Sequence, residues 1–173
     1  MNRMMEVEAK LRAGGTPRDG IILLDGYRVE ATEITGGIVF EKGDLVIEAF
    51  PVPHGDIKPS LGYKITTADK SIVISGDTGF SKTIMEKARG VDLLFHEVIS
   101  RKGLKNVSDF WRRYHTSSHT PTDELAELAS NARPKKLVLY HLLFFGASEQ
   151  EMLEEVRSGY DGEVILANDL DLF

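Results

Sequence analysis

An α/β fold built on a mixed sheet is what this sequence predicts, and three observations predict it. Short apolar runs in the first half are joined by tight turn signals, as in hairpins. From residue 71 onward, apolar β-branched runs alternate with helical patterns, the rhythm of strand–helix–strand units. No repeat or low-complexity tract interrupts that order.

The elements follow in sequence. Residues 1–12 read as a helix or helix end, followed by the loop "AGGTPRDG". "IILLDGYRVEAT" gives two apolar runs around Asp25-Gly26, a hairpin signal. Strands are expected near 38–41 and 45–52, joined at Lys42-Gly43-Asp44, with Val46, Glu48 and Phe50 on one face and Leu45, Ile47 and Ala49 on the other. "LGYKITTADKSIVISGD" is a further hairpin turning at Ala68-Asp69-Lys70, and its apolar "SIVIS" suits a buried strand. "SKTIMEKARG" is a short helix stopped by Gly90. "VDLLFHE" is a buried strand, and residues 100–118 are partly helical.

The plainest helix is "HTPTDELAELASNARP". Thr120 is its expected cap, Pro121 its first helical residue and Asp123 the partner in a capping-box-like pair, with Leu125, Leu128 and Ala129 as the apolar stripe. "KLVLYHLL" is a buried strand, "SEQEMLEEVRSGY" an amphipathic helix and "EVILANDLDLF" a last strand or pair.

Composition narrows the function classes. At 173 residues the chain has the length of one domain. Lys+Arg 21 against Asp+Glu 27 gives a net charge of −6, which argues against a broad basic face for nucleic acid, although "FWRRY" at 110–114 is a local basic patch. With no cysteine, any metal must be held by His and carboxylates. No apolar run is long enough to span a bilayer and the start lacks a signal-peptide core, so the expected location is the cytoplasm, without a membrane partner.

The five histidines carry the functional signal. His54 follows one strand, His96 and His141 close two others, and Asp77 follows "SIVISG". Ligands bind at the carboxyl ends of strands in layered α/β proteins, so this conjunction suggests a metal or acid–base site. Each residue alone also reads as an ordinary loop polar group. His115 and His119 sit four residues apart ahead of the capped helix, either facing solvent or aimed at a site.

The segments "AFPVPHGDIKPSLGYKI", "SIVISGDTGFS", "DLLFHEV", "HTSSHTPTDELAELA" and "KKLVLYHLL" occur in that order. They resemble the C-terminal half of the metallo-β-lactamase-fold hydrolases, in the ribonuclease Z and arylsulfatase-like branch, from about Gly36 to the end. The resemblance implies the C-terminal half of an αββα sandwich, a mixed sheet with helices on one face. Residues 1–173 would then form a single partial domain, with 1–35 poorly matched.

The same resemblance implies roles. His54, Asp77 and His141 correspond to metal ligands, His119 to a histidine that donates a proton near the scissile bond, and Glu97 to a carboxylate that orients a histidine. His96 and His115 receive no metal role. The implied cofactor is zinc, two per complete site, with manganese or iron also compatible with these donors. The implied reaction is hydrolysis of an ester, phosphoester or sulfate ester by a two-metal-activated hydroxide.

The family's HxHxDH motif is absent, and no H-x-H occurs. The expectation is therefore a fragment of a zinc-dependent hydrolase, inactive as this chain alone and completed by an N-terminal half in cis or in trans. An exposed apolar sheet face would also favour homo-oligomers. A non-catalytic binding or oligomerisation module is the alternative. Transfer RNA 3′-processing is disfavoured, because the run from Gly62 to Asp77 is a tight hairpin without room for an RNA-gripping arm. Trp111, Tyr114, Phe144 and Phe145 could line an apolar pocket mouth or be ordinary core aromatics.

Overall fold

A computed structural model describes residues 31–173, and the compact unit considered below is Thr35–Phe173. The expected helix at 1–12 and the turn at Asp25-Gly26 lie outside the described residues. Seven strands form one sheet in the order of the chain: β1 (Gly37–Lys42), β2 (Leu45–Pro51), β3 (Leu61–Thr66), β4 (Ser71–Ile74), β5 (Leu93–Ile99), β6 (Lys136–Leu143) and β7 (Glu163–Leu166). The pairings β1–β2, β2–β3 and β3–β4 are antiparallel, and β4–β5, β5–β6 and β6–β7 are parallel. The sheet is mixed because short turns suffice for the first four strands, whereas a parallel neighbour needs a crossover.

Those crossovers are helical. Helix α1 (Lys82–Lys87) links β4 to β5, and α4 (Glu149–Arg157) links β6 to β7. Between β5 and β6 the chain runs through a 3₁₀ turn (Gly103–Asn106), α2 (Asp109–Ser118) and α3 (Thr122–Ala132). Ser81 caps α1 by accepting from the Ile84 N–H, and Ser148 and Glu151 form a reciprocal capping box on α4.

Register decides which side chains meet the helices. Val73 lies beside Leu94, Leu94 beside Leu137, and Leu137 beside Val164. These four join Ile84, Leu125, Leu128, Met152 and Val156 of the helices in one core. Leu137 is fully buried, so Leu137→Ala costs about 2–5 kcal/mol. Glu48 and Phe50 of β2 share this face, as the alternation predicts. Phe50 enters the core and Glu48 pairs with Lys87 of α1 at 2.6 Å. The other face is apolar too, with Ala49, Tyr63, Ile74, Phe95, Val138 and Ile165 aligned across β2 to β7.

Three local expectations change. The cap of α3 is Pro121 rather than Thr120, and the helix begins at Thr122. Thr120 is drawn away because its hydroxyl donates to the Thr78 carbonyl at 2.8 Å, while Asp123 accepts from Arg101 Nε at 2.7 Å. His96 does not close its strand, since β5 continues to Ile99. Nor does His141 close β6, which runs to Leu143.

Candidate metal centre

Two loops and a helix end meet beyond the carboxyl ends of β2, β4 and β5. The loop after β2 carries His54, the loop after β4 carries Asp77, and His119 is the extended residue that closes α2. Glycine permits the close approach. A Cβ on Gly55, whose φ is +54°, would lie 2.8 Å from Ser118 Oγ, and one on Gly79 would lie 3.3 Å from the Ser117 carbonyl. In the space so saved, the Gly55 N–H donates to the Ser117 carbonyl at 3.0 Å and the Gly79 N–H to the Pro53 carbonyl at 2.8 Å.

His119 is held from two sides. Its following segment docks along the end of β5, where the Ile99 N–H donates to the Thr120 carbonyl at 3.0 Å. Behind its ring stands Glu97, fully buried in β5. One carboxylate oxygen, Oε1, accepts the N–H groups of Thr120 at 2.8 Å and Thr78 at 3.3 Å. The other, Oε2, lies 3.3 Å from His119 Nδ1, and neither atom has another hydrogen-bond partner. Burial pulls the His119 pKa down, but Glu97 and then Asp77 outweigh it and leave the imidazole above its ordinary value.

His141 reaches the centre through an irregularity. Glu97 pairs with Tyr140 and Val98 with Leu142, so His141 is the extra residue of a bulge, with φ at +44°. Bulges re-aim a side chain, and this one turns the imidazole toward Asp77, with Nε2 at 3.7 Å from Oδ2. Asp77, His119 and His141 each offer a donor atom, and these atoms all lie within 4.8 Å of one another. The His119 and His141 rings stack with centroids 5.8 Å apart.

His54 stands beside this trio and outside it. Its ring meets His119 edge-on at 5.3 Å, and its Nδ1 lies 2.7 Å from the Ser118 carbonyl. An Nδ1–H donated to that carbonyl leaves Nε2 as a lone-pair donor, the state in which histidine binds metals. The sequence grouped His54, Asp77 and His141 as ligands; the tightest cluster has His119 in place of His54. His96 is fully buried with Nδ1–H donating to the Glu97 carbonyl at 2.6 Å, and burial lowers its pKa. His115 packs on Phe145 at 4.7 Å and on Trp111 at 5.8 Å. Burial, and then repulsion from His119, lower its pKa.

The residues fit a divalent cation. They supply imidazole nitrogen and carboxylate oxygen without thiolate, a donor chemistry compatible with zinc, manganese or iron.

The family model for the Beta-lactamase superfamily domain matches residues 4–142. The chain belongs to this superfamily. Among its relatives, ribonuclease Z of Mycobacterium sp. (strain KMS) is 29% identical over 145 residues, covering 82% of this chain and 50% of that protein. Ribonuclease Z of Mycobacterium tuberculosis (strain ATCC 25177 / H37Ra) is 25% identical over 144 residues, covering 82% and 53%. The chain thus spans about half the length of these curated relatives.

Solved structures agree on the fold. The metallo-beta-lactamase fold protein YhfI from Bacillus subtilis aligns with a TM-score of 0.61 at 21% identity, covering 75% of this chain and 49% of that one. Human tRNase Z, short form, aligns with a TM-score of 0.53 at 24% identity, covering 79% and 44%. The superfamily fold implies divalent metal binding, in keeping with the donor cluster. Among the described residues no helix is long and apolar enough to cross a membrane.

Proposed function

We propose that this chain carries part of the active site of a metal-dependent phosphoester hydrolase. The convergence of Asp77, His119 and His141, with buried Glu97 behind His119, is the observation that supports it most. Asp77 and His141 would hold a divalent cation, zinc being the best match to these donors, with His54 as a further ligand. Bound there, the cation supplies Lewis-acid chemistry to the ester.

His119 then serves as the proton donor. Glu97 fixes one nitrogen, which leaves the other to protonate the departing alkoxide. Thr78 and Thr120 N–H groups fix Glu97 in turn, which supports a fixed aim for the acid. Three or four donors suffice for one tetrahedral ion, and the sequence has no histidine beyond the five already placed. A second ion would take its donors from an HxHxDH-bearing segment, in cis or in trans.

The relatives' names favour RNA over a small ester or sulfate ester as substrate. The missing arm and the net charge of −6 pointed away from nucleic acid, and the expectation drawn from charge yields here to the relatives. The β3–β4 hairpin closes within Thr67–Lys70, where the Thr67 N–H donates to the Lys70 carbonyl at 2.8 Å, and it carries no RNA-gripping arm. RNA would have to be held elsewhere on the surface.

The test is hydrolysis of bis(p-nitrophenyl) phosphate by the zinc-loaded chain, alone and with the HxHxDH-bearing half of a family relative added. Chelator-sensitive turnover in either case, lost in His119→Ala, supports the reading. Zinc binding with turnover in neither case contradicts it.

A further inference from the structure

We infer that the outer face of α2 is a stacking platform for the bases of a single-stranded RNA segment led into the metal centre. This rests on the hydrolase reading above and adds to it where the substrate is held. Three large aromatics on this one helix stand in solvent: Phe110 is 65% exposed, Trp111 49% and Tyr114 50%. A soluble surface rarely groups such side chains without a partner.

Their rings are ordered, and they lead somewhere. Phe110 meets Trp111 edge-on at 5.3 Å, and Trp111 meets Tyr114 edge-on at 5.6 Å. One helical turn on from Trp111, His115 lies nearly parallel to it at 5.8 Å, and His119 follows at 6.1 Å. The line of rings therefore runs from the N-terminal end of α2 into the donor cluster. Trp and Tyr faces accept any base, which gives binding without sequence preference.

Local charge names the kind of ligand. Residues 101–115 hold Arg101, Lys102, Lys105, Arg112 and Arg113 against the single carboxylate of Asp109, within a chain of net charge −6. Arg101 pairs with Asp123 and Glu124, Lys102 with Glu151, and Arg112 with Asp109. Lys105 and Arg113 are exposed and form no ion pair among the described residues. Arg113 is three residues from Phe110 on the same helix, so it flanks the aromatic row at that end. Cations beside flat rings suit a phosphate backbone with bases; an acyl or aryl ester would need only the rings.

Trp111 is the sole tryptophan of the chain, so its emission reports the event directly. The probe is a fluorescein-labelled single-stranded RNA decamer of mixed sequence, with inorganic polyphosphate of equal charge as the base-free control. Both are titrated in excess chelator, which makes the readout independent of metal and of turnover. The RNA is expected to quench Trp111 while polyphosphate does not, and Trp111→Leu and Tyr114→Ala are each expected to weaken RNA binding about tenfold, read by anisotropy. Circular dichroism of both variants separates lost binding from lost fold, and Tyr114→Ala retains Trp111 as reporter.

Equal quenching by polyphosphate, or unchanged RNA affinity in both folded variants, overturns the inference. So does self-association of the chain that Trp111→Leu abolishes, since the occupant would then be a second copy. Failure of hydrolysis with RNA quenching intact would count against the hydrolase reading alone.

Discussion

Oε2 of Glu97 lies 3.3 Å from Nδ1 of His119, and both atoms are shut away from water. A carboxylate with no exposed surface is stable only where hydrogen bonds or a cation compensate it. Two backbone N–H groups serve Oε1, so Oε2 depends on the imidazole. Glu97 is therefore expected to position His119 and to tie Thr78 and Thr120 to β5.

Glu97→Gln keeps a carbonyl oxygen for the two N–H groups and removes the charge facing His119. Activity of the complete enzyme should fall about 10–100-fold, with metal affinity nearly intact and the pH profile displaced. Glu97→Ala leaves both N–H groups unpartnered, costing about 1–3 kcal/mol for each. Thermal melts and pH–rate profiles of the two variants check this; equal melting losses would contradict it.

Gly55 sits where the loop after β2 crosses the end of α2. Gly55→Ala combines a positive φ with a Cβ at 2.8 Å from Ser118 Oγ, so the Ser118 hydroxyl or the loop must shift. The expected cost is about 1–3 kcal/mol of stability. The ring of His54 should lose its bond to the Ser118 carbonyl, which the imidazole resonances in NMR would show.

His96 gives the fold a pH dependence of its own. Burial lowers its folded pKa below the ordinary 6.5, and its Nε2 has no partner. The unfolded chain binds a proton there first, so stability is complete above pH 6.5 and declines as the pH falls toward the folded value. His96→Leu should flatten this decline in urea melts taken at pH values below 6.5. A slope identical to that of the parent chain would contradict the assignment.

Much of this arrangement is legible in the sequence, for physical reasons. Tight turns and β-branched runs mark β1 to β4 because short hairpins leave little freedom, and Leu125, Leu128 and Ala129 mark the buried face of α3. The ordered motifs around His54, Asp77, Glu97, His119 and His141 mark the superfamily. The details that bring these residues together are long-range and leave no local signal. Nothing in "LVLYHLL" announces that His141 is the extra residue of a bulge, since that depends on its pairing with β5. Thr120 carries the preferred cap residue type, yet a hydrogen bond to Thr78, 42 positions away, takes it elsewhere. The grouping of His119 with Asp77 depends on two glycines whose neighbours lie far along the chain.

Whether Asp77 and His141 hold a metal is the claim on which the rest depends. Zinc bound per chain, measured by elemental analysis after dialysis, tests it most directly in the parent chain, Asp77→Ala, His141→Ala and His119→Ala. Stoichiometric zinc is expected in the parent, with loss in Asp77→Ala and His141→Ala and retention in His119→Ala, whose imidazole is assigned to proton transfer. Zinc lost equally in His119→Ala would make that residue a ligand. A parent chain that binds no zinc, or Asp77→Ala and His141→Ala variants that both bind it fully, would show that these residues hold no metal.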